Sequence, residues 1–377
     1  MVSTQLEKLA KLPLRDNLRG IEPYGAPQLD VAVLLNVNEN THPLPEAVRQ
    51  AIADDVAEAA IGLNRYPDRE FTELRERLAA YLGHGLGPEE LWAANGSNEV
   101  LQQILQAFGG PGRTVMSFPP TYSMYPLLAS GTDTAYIAGE RSGDFQLTAA
   151  SAARQVAAAA PNIVILCSPN NPTGTALGLD VVEAVYEAGR ASNSIVIVDE
   201  AYAEFALAGT ESALTLLPGR ERLIVTRTMS KAFALAGARL GYLAAAPEIA
   251  DALRLVRLPY HLSAVTQATA NAALKHVDAL LATVEDIKGQ RDRIVTELKR
   301  LGLTPAISDS NFVFFGGLEH SGHVWQGLLD AGVLIRDVGI PGHLRVTAGT
   351  EAETTAFLEA LEALLADAAP QAPRLDG

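Results

Sequence analysis

The sequence predicts an α/β protein: a large domain with a mostly parallel central sheet flanked by helices, plus a smaller α+β domain. Three observations carry that expectation. The chain has 377 residues, beyond the ~250–300 at which single cores tend to split. Its middle alternates short apolar runs with helical segments, as in a sheet covered on both faces. From about Leu274 the strict alternation lapses, and helices and strands follow each other irregularly.

The elements justify this in order. Glu70–Leu82 (EFTELRERLAAYL) spaces its apolar residues as an amphipathic helix, and Asn98–Ala107 forms a second after the turn Asn95-Gly96-Ser97. Thr148–Ala160 is alanine-rich and reads as a plain surface helix. Asn162–Ser168 (NIVILCS) is a β-branched run stopped by Pro169, and Asp180–Ala191 follows with helical spacing. Ser194–Val198 (SIVIV), Arg222–Thr226 (RLIVT) and Gly241–Ala245 (GYLAA) complete the strands of a parallel sheet. Beyond them lie a long helix, Asp278–Leu301, three short strands, Asn311–Phe315, Val333–Arg336 and His343–Thr347, and a closing helix, Glu351–Ala366. The expected division is an N-terminal arm with part of the small domain (1–44), a large domain (45–273), a small C-terminal domain (274–368) and a disordered tail (369–377).

Composition excludes several classes of function. A formal charge of −15 opposes nucleic acid and anionic membrane surfaces, so an anionic ligand must be held by local Arg and Lys groups. One cysteine, Cys167, permits no intramolecular disulfide and fits a reducing compartment. The N-terminus has no apolar signal-peptide core, and no apolar run approaches the ~18 residues of a membrane span. The chain reads as cytoplasmic.

Three strings carry chemistry. Thr226–Tyr242 (TRTMSKAFALAGARLGY) follows a predicted strand and leads into a weak helix. A lysine there, Lys231, suits covalent carbonyl chemistry once desolvation or neighbouring cations lower its pKa. Thr228 and Ser230 offer donors to a phosphate. Taken alone, the segment reads equally as a strand end with a solvated lysine. Cys167–Gly174 (CSPNNPTG) reads alone as a turn, since its prolines stop the strand. Val198–Tyr202 (VDEAY) ends an apolar strand in Asp199, a costly place for a carboxylate unless it is paired; alone it fits a structural ion pair. Together the three fall at the C-terminal ends of successive predicted strands, where open α/β sheets bind ligands.

In that order, Asn-Pro-Thr-Gly, Asp-Glu-Ala-Tyr, then Ser-Lys with a following Arg, the sequence resembles the fold-type I aminotransferases of the aspartate-aminotransferase type over nearly its whole length. The resemblance implies pyridoxal 5′-phosphate, with Lys231 as the Schiff-base lysine. Asp199 would pair with the pyridine nitrogen, while Asn171 and Tyr202 would bond the phenolate oxygen. Ser230 and Arg239 would hold the phosphate, with Thr228 nearby and Ser97 and Asn98 offering amides at a helix N-terminus. Tyr122 would stack on the ring, and Tyr66 would reach the phosphate from a neighbouring subunit, implying a homodimer with shared sites. Arg345 would clamp a substrate carboxylate.

Within that fold type, LRGIEPYGAPQ, LLNVNENTHPLP, RYPD, PPTYSMY and VLIRDVG are most similar to the histidinol-phosphate aminotransferase family. This implies Tyr24 and Arg336 near the substrate's phosphate, Asn38 and Glu39 near the pocket mouth, and transfer of the amine of L-histidinol phosphate to 2-oxoglutarate. Two departures stand out. Thr41-His42 replaces the usual Pro-Tyr close to the substrate entrance, and Ala234 replaces the usual Gly after SKAF as a packing change. An aromatic amino acid aminotransferase and a pyridoxal-phosphate-dependent phosphoamino-acid decarboxylase are the alternatives. No metal is expected: His320-Ser321-Gly322-His323 lacks a third ligand cluster and reads as a solvated loop. Gly109-Gly110-Pro111-Gly112 reads as a helix stop and turn without a Walker lysine.

Overall fold

The structure is a computed structural model that describes residues 11–21, 25 and 27–368. Tyr24 and the tail 369–377 therefore lie outside the described residues. In chain order, strand β1 (Val33–Leu34) precedes helices α1 (Glu46–Ile61) and α2 (Thr72–Leu82). There follow β2 (Leu91–Ala94), α3 (Ser97–Phe108), β3 (Thr114–Ser117), α4 (Met124–Gly131), β4 (Ala135–Ala138), α5 (Ala149–Ala159), β5 (Ile163–Cys167), α6 (Leu179–Ala188), β6 (Ile195–Asp199), β7 (Leu223–Thr228) and β8 (Gly241–Ala245). Helices α7 (Pro247–Val256), α8 (Ala264–Leu274) and α9 (Val277–Arg300) lead to β9 (Thr304–Pro305), β10 (Phe312–Gly316), α10 (Ser321–Asp330), β11 (Val333–Leu334), β12 (Leu344–Thr347) and α11 (Glu351–Ala368).

Seven strands form the central sheet, in the order β2-β8-β7-β6-β5-β3-β4. Its centre, β5 (IVILC) and β6 (IVIVD), is buried at every residue, because helices cover both faces and leave no solvated side to alternate toward. Strands β3 to β7 are parallel, so their C-terminal ends share one edge. Cys167, Asp199 and Thr226 stand in register there.

β8, expected as a further parallel strand, runs antiparallel to both neighbours. The reason lies in the link from β7, which was expected to be helical. It holds only a 3-10 turn, Ala236–Ala238, flanked by left-handed residues at Ala234 (φ 52°) and Arg239 (φ 57°). Those conformations break a helix, and without a crossover the chain turns straight back beside β7. The four-residue strands β2, β3 and β4 were too short to declare themselves by alternation.

The smaller group of elements packs the antiparallel sheet β12-β10-β9 against α9, and Phe315 of β10 meets Phe357 of α11. It also joins an early and a late segment of the chain: β1 pairs in parallel with β11, Val33 opposite Val333. Among the described residues no helix is long and apolar enough to cross a membrane.

Candidate active site

A cavity of about 380 Å³ opens at the C-terminal edge of the parallel strands, between them and residues 36–39 and 336–345. Three tight connections build its floor. After β5 the chain folds back on itself through Asn170, which is fully buried. Asn170 accepts from Thr121 Oγ1 (2.8 Å) and donates to Pro120 O (3.0 Å) and Thr173 Oγ1 (2.9 Å). That fixes the loop and turns Asn171 toward the cavity. Asp199, the last residue of β6, is buried and accepts from Tyr125 Oη (2.8 Å) and Thr226 Oγ1 (3.2 Å). Burial pushes its carboxyl above the ordinary range, and these two hydroxyls and the Ala201 backbone amide oppose that shift. After β7, Lys231 directs Nζ at the backbone carbonyl of Val37 (3.0 Å). Burial, with the Arg345 guanidinium nearby, pushes its ammonium down to about 8.

At one end of the cavity several donors converge. Thr228 donates to Ser230 Oγ (3.0 Å), and Arg239 Nη1 lies 3.4 Å from the same oxygen. Ser97 opens α3, so its amide is one of the free donors of a helix N-terminus. Two glycines let these groups close up. A Cβ on Gly96 would strike the Arg239 guanidinium, and one on Gly241 would strike the Ser97 backbone. Asn98 also lines the cavity, and its buried Oδ1 has no partner there.

Opposite, Tyr202 Oη accepts from Asn38 Nδ2 (3.0 Å) and Asn171 Nδ2 (3.5 Å), and burial raises its pKa. Arg345 is buried, donates to Asn171 Oδ1 (2.5 Å) and Asn36 O (2.7 Å), and lies over the Phe312 ring. Arg336 is its antiparallel bridge partner, bonded to it in both directions at 2.9 and 3.0 Å. Residues directly opposite in such a bridge send their side chains to one face, and both arginines line the cavity, as do Glu39 and Tyr122.

The cavity thus brings together Ser97, Asn98, Tyr122, Asn171, Asp199, Tyr202, Thr228, Ser230, Lys231, Arg239, Asn38, Glu39, Arg336 and Arg345. Tyr66 is outside it, exposed and stacked on Tyr260 with ring centroids 4.4 Å apart.

A family model, aminotransferase class I and II, matches residues 31–361. The histidinol-phosphate aminotransferase of Paenarthrobacter aurescens (strain TC1) is 77% identical over 369 residues, covering 98% of this chain and 99% of that protein. The chain belongs to the histidinol-phosphate aminotransferase family. Among solved structures, the histidinol-phosphate aminotransferase of Sinorhizobium meliloti in complex with pyridoxal-5′-phosphate superposes with a TM-score of 0.81 at 26% identity, covering 90% of this chain and 92% of that one. An aspartate aminotransferase variant from Thermus thermophilus shares the fold, with a TM-score of 0.77 at 24% identity over 94% of this chain and 99% of its own.

Membership in the family sharpens the two departures. Thr41 and His42 do not line the cavity. Thr41 Oγ1 donates to Glu353 Oε2 (2.6 Å), and Thr350 N donates to the same oxygen, so the pair ties the N-terminal segment to the start of α11. Ala234, expected as a packing change, is a backbone change: its φ of 52° is where a glycine sits without strain. Tyr125 and Thr226, which hold Asp199, escaped the sequence reading. Tyr125 stood three residues beyond Tyr122 in PPTYSMY, a helical spacing that was the available signal. His320 and His323 have ring centroids 5.4 Å apart, and α10 takes in His323 where a loop was expected. The apolar spacing of Val324, Trp325 and Leu328 outweighs the poor helix formers of its first turn. Among the described residues no group of three metal-ligating side chains occurs.

Proposed function

We propose that the protein is a pyridoxal-phosphate-dependent transaminase that converts L-histidinol phosphate and 2-oxoglutarate to imidazole acetol phosphate and glutamate. The observation that carries the substrate class is the Arg336–Arg345 bridge, which sets two guanidiniums on one wall of the cavity that contains Lys231. One substrate of each pair bears a phosphate and the other a carboxylate, and an arginine fork matches both.

The residues fit the cofactor. Asp199 is a buried carboxylate in the cavity with hydroxyl partners and no ion pair among the described residues, as a protonated ring nitrogen requires. Ser97, Ser230, Thr228 and Arg239 would hold its phosphate, Asn171 and Tyr202 would bond its phenolate oxygen, and Tyr122 would cover its ring. Bound pyridoxal phosphate supplies an electron-poor ring that takes up the charge released when a Cα–H bond breaks. Lys231 would bind the cofactor's aldehyde carbon, and once the substrate amine takes its place its free Nζ would take the proton from the substrate Cα and deliver it to that cofactor carbon. Its lowered pKa leaves a useful share of neutral amine near pH 7. Arg345 holds the carboxylate of glutamate or 2-oxoglutarate; Arg336 holds the phosphate of histidinol phosphate, a role the family resemblance also gives to Tyr24. Asn38 orients Tyr202, and Glu39 borders the mouth.

The reading includes a cytoplasmic homodimer. Ile61, Leu63, Tyr66, Leu255 and Leu258 are all more than half exposed, and the Tyr66–Tyr260 stack joins their two segments. Apolar side chains grouped this way mark an interface, from which Tyr66 would reach the neighbouring phosphate cup. It also includes the division at 44/45 and 273/274, supported by the pairing of β1 with β11.

A steady-state comparison of amino donors tests the function. A buried charged donor left unpaired costs ~1–3 kcal/mol or more, so removing the phosphate should lower kcat/KM by ~10–100-fold. Histidinol phosphate should outrank histidinol and phenylalanine, and Arg336→Ala should narrow that gap more than it affects glutamate. Preference for phenylalanine would indicate the aromatic enzyme, and CO₂ release the decarboxylase.

A further inference from the structure

We propose that Tyr125 is a positioning residue: its hydroxyl fixes the Asp199 carboxylate while its ring fixes the plane of Tyr122. The inference rests on reading the cavity as a pyridoxal phosphate site. Tyr125 does not line that cavity; it lies behind it, on the first turn of α4, with no exposed surface. Its single hydroxyl proton is directed at Asp199 Oδ2 at 2.8 Å. The same ring meets Tyr122 edge to face, with centroids 5.5 Å apart and planes at 89°. One side chain therefore touches both the residue that would pair with the ring nitrogen and the residue that would cover the ring face.

The hydrogen bonds of Asp199 show why this matters. A carboxylate has about four acceptor positions on two oxygens. Thr226 on β7 occupies one at Oδ1 (3.2 Å), and Tyr125 on α4 one at Oδ2. The Ala201 backbone amide also donates to the carboxylate, which is thus held from both oxygens and cannot rotate. The other titratable groups around it do not replace Tyr125. Cys167 on β5 is its register neighbour, with a thiol that burial pushes up to about 12 and that meets the same Tyr125 hydroxyl, so it stays neutral and adds no charge of its own. Glu200, the next residue, carries the same charge as Asp199, and its carboxylate is taken by Arg227 and Ser212. Arg141, which interacts electrostatically with Cys167 and Tyr125, donates to the carbonyls of Phe118 and Phe145. Burial works against a charged Asp199, and Tyr125 is the largest opposing influence. Tyr125→Phe deletes that donor and keeps the ring against Tyr122.

The test measures pyridoxal phosphate affinity of the full-length, cofactor-stripped protein between pH 5 and pH 9, without substrate. Losing one charge-assisted donor should raise the Asp199 titration by about 1–2 pH units. The fall in affinity at low pH should therefore begin about 1–2 units higher in Tyr125→Phe than in wild type, with affinity about tenfold or more lower on that limb. In Asp199→Asn the limb should be absent, and adding Tyr125→Phe should change affinity by less than about twofold, since the coupling runs through Asp199. An unshifted profile in Tyr125→Phe, or an equal loss in both backgrounds, overturns the inference while leaving the site reading intact. Failure of wild type to bind pyridoxal phosphate removes the site reading and the inference together.

Discussion

Lys231 must be neutral to attack an aldehyde, and its surroundings set how much neutral amine there is. An ordinary lysine, with a pKa of ~10.4, is about 0.04% neutral at pH 7. With the ammonium pushed down to about 8 by burial and by Arg345, the neutral share at pH 7 rises to roughly 10%, a gain of roughly 200–300-fold. The perturbation is pH itself, applied to the cofactor-stripped protein. Covalent capture of pyridoxal phosphate, followed by stopped-flow absorbance, should accelerate about tenfold per pH unit up to about 8 and then level. Arg345→Gln removes a neighbouring cation and should move the break upward, slowing capture at pH 7. Lys231→Ala should abolish capture, and after borohydride reduction the label should map to Lys231 in wild type. A wild-type rate that climbs tenfold per unit to pH 10 would show that Lys231 is not desolvated and would refute the reasoning.

Asp199→Asn should slow Cα–H cleavage in a single turnover far more than it weakens cofactor binding, because the ring loses its protonated nitrogen; near-normal rates would count against the pairing. Mixing Lys231→Ala chains with Tyr66→Ala chains should restore activity, since one site in each hybrid dimer carries neither lesion; hybrids shown to form but inactive would mean that Tyr66 acts in its own subunit or only structurally. Ala234→Gly should stabilise the protein by about 0.5–1 kcal/mol in urea unfolding: relief of a left-handed Cβ is worth ~1–2 kcal/mol, and the freer unfolded chain takes back part of it. A loss of stability would mean that the methyl group packs.

The sequence disclosed the residues whose chemistry is rare. Lys231 and Asp199 stood out because charged groups at the ends of apolar strands need an explanation, and the resemblance supplied one. It did not disclose their supports. Tyr125 and Thr226 are ordinary residues whose role is to meet Asp199 from two other elements. Val37 meets Lys231 through a backbone carbonyl, for which no residue type gives a sign. The buried strands β5 and β6 were legible because continuous apolar runs persist where both faces are covered. The direction of β8 was not, because it depends on two left-handed residues, Ala234 and Arg239, that carry side chains. Thr41 looked like part of the entrance by position; its hydroxyl turns instead to Glu353, a partner 312 residues away.

The pairing of β1 with β11 has a consequence for the order of biosynthesis. Val33 leaves the ribosome 300 residues ahead of its partner Val333. Asn36 and Asn38, which meet Arg345 and Tyr202, wait with it. The central sheet, complete by Ala245, can form during translation, since domains tend to fold as units as they emerge. The half of the cavity built by both segments cannot. A nascent or prematurely terminated chain would then present Lys231 on a finished sheet with no opposing wall, and the capacity to process substrate would arrive in a single late step.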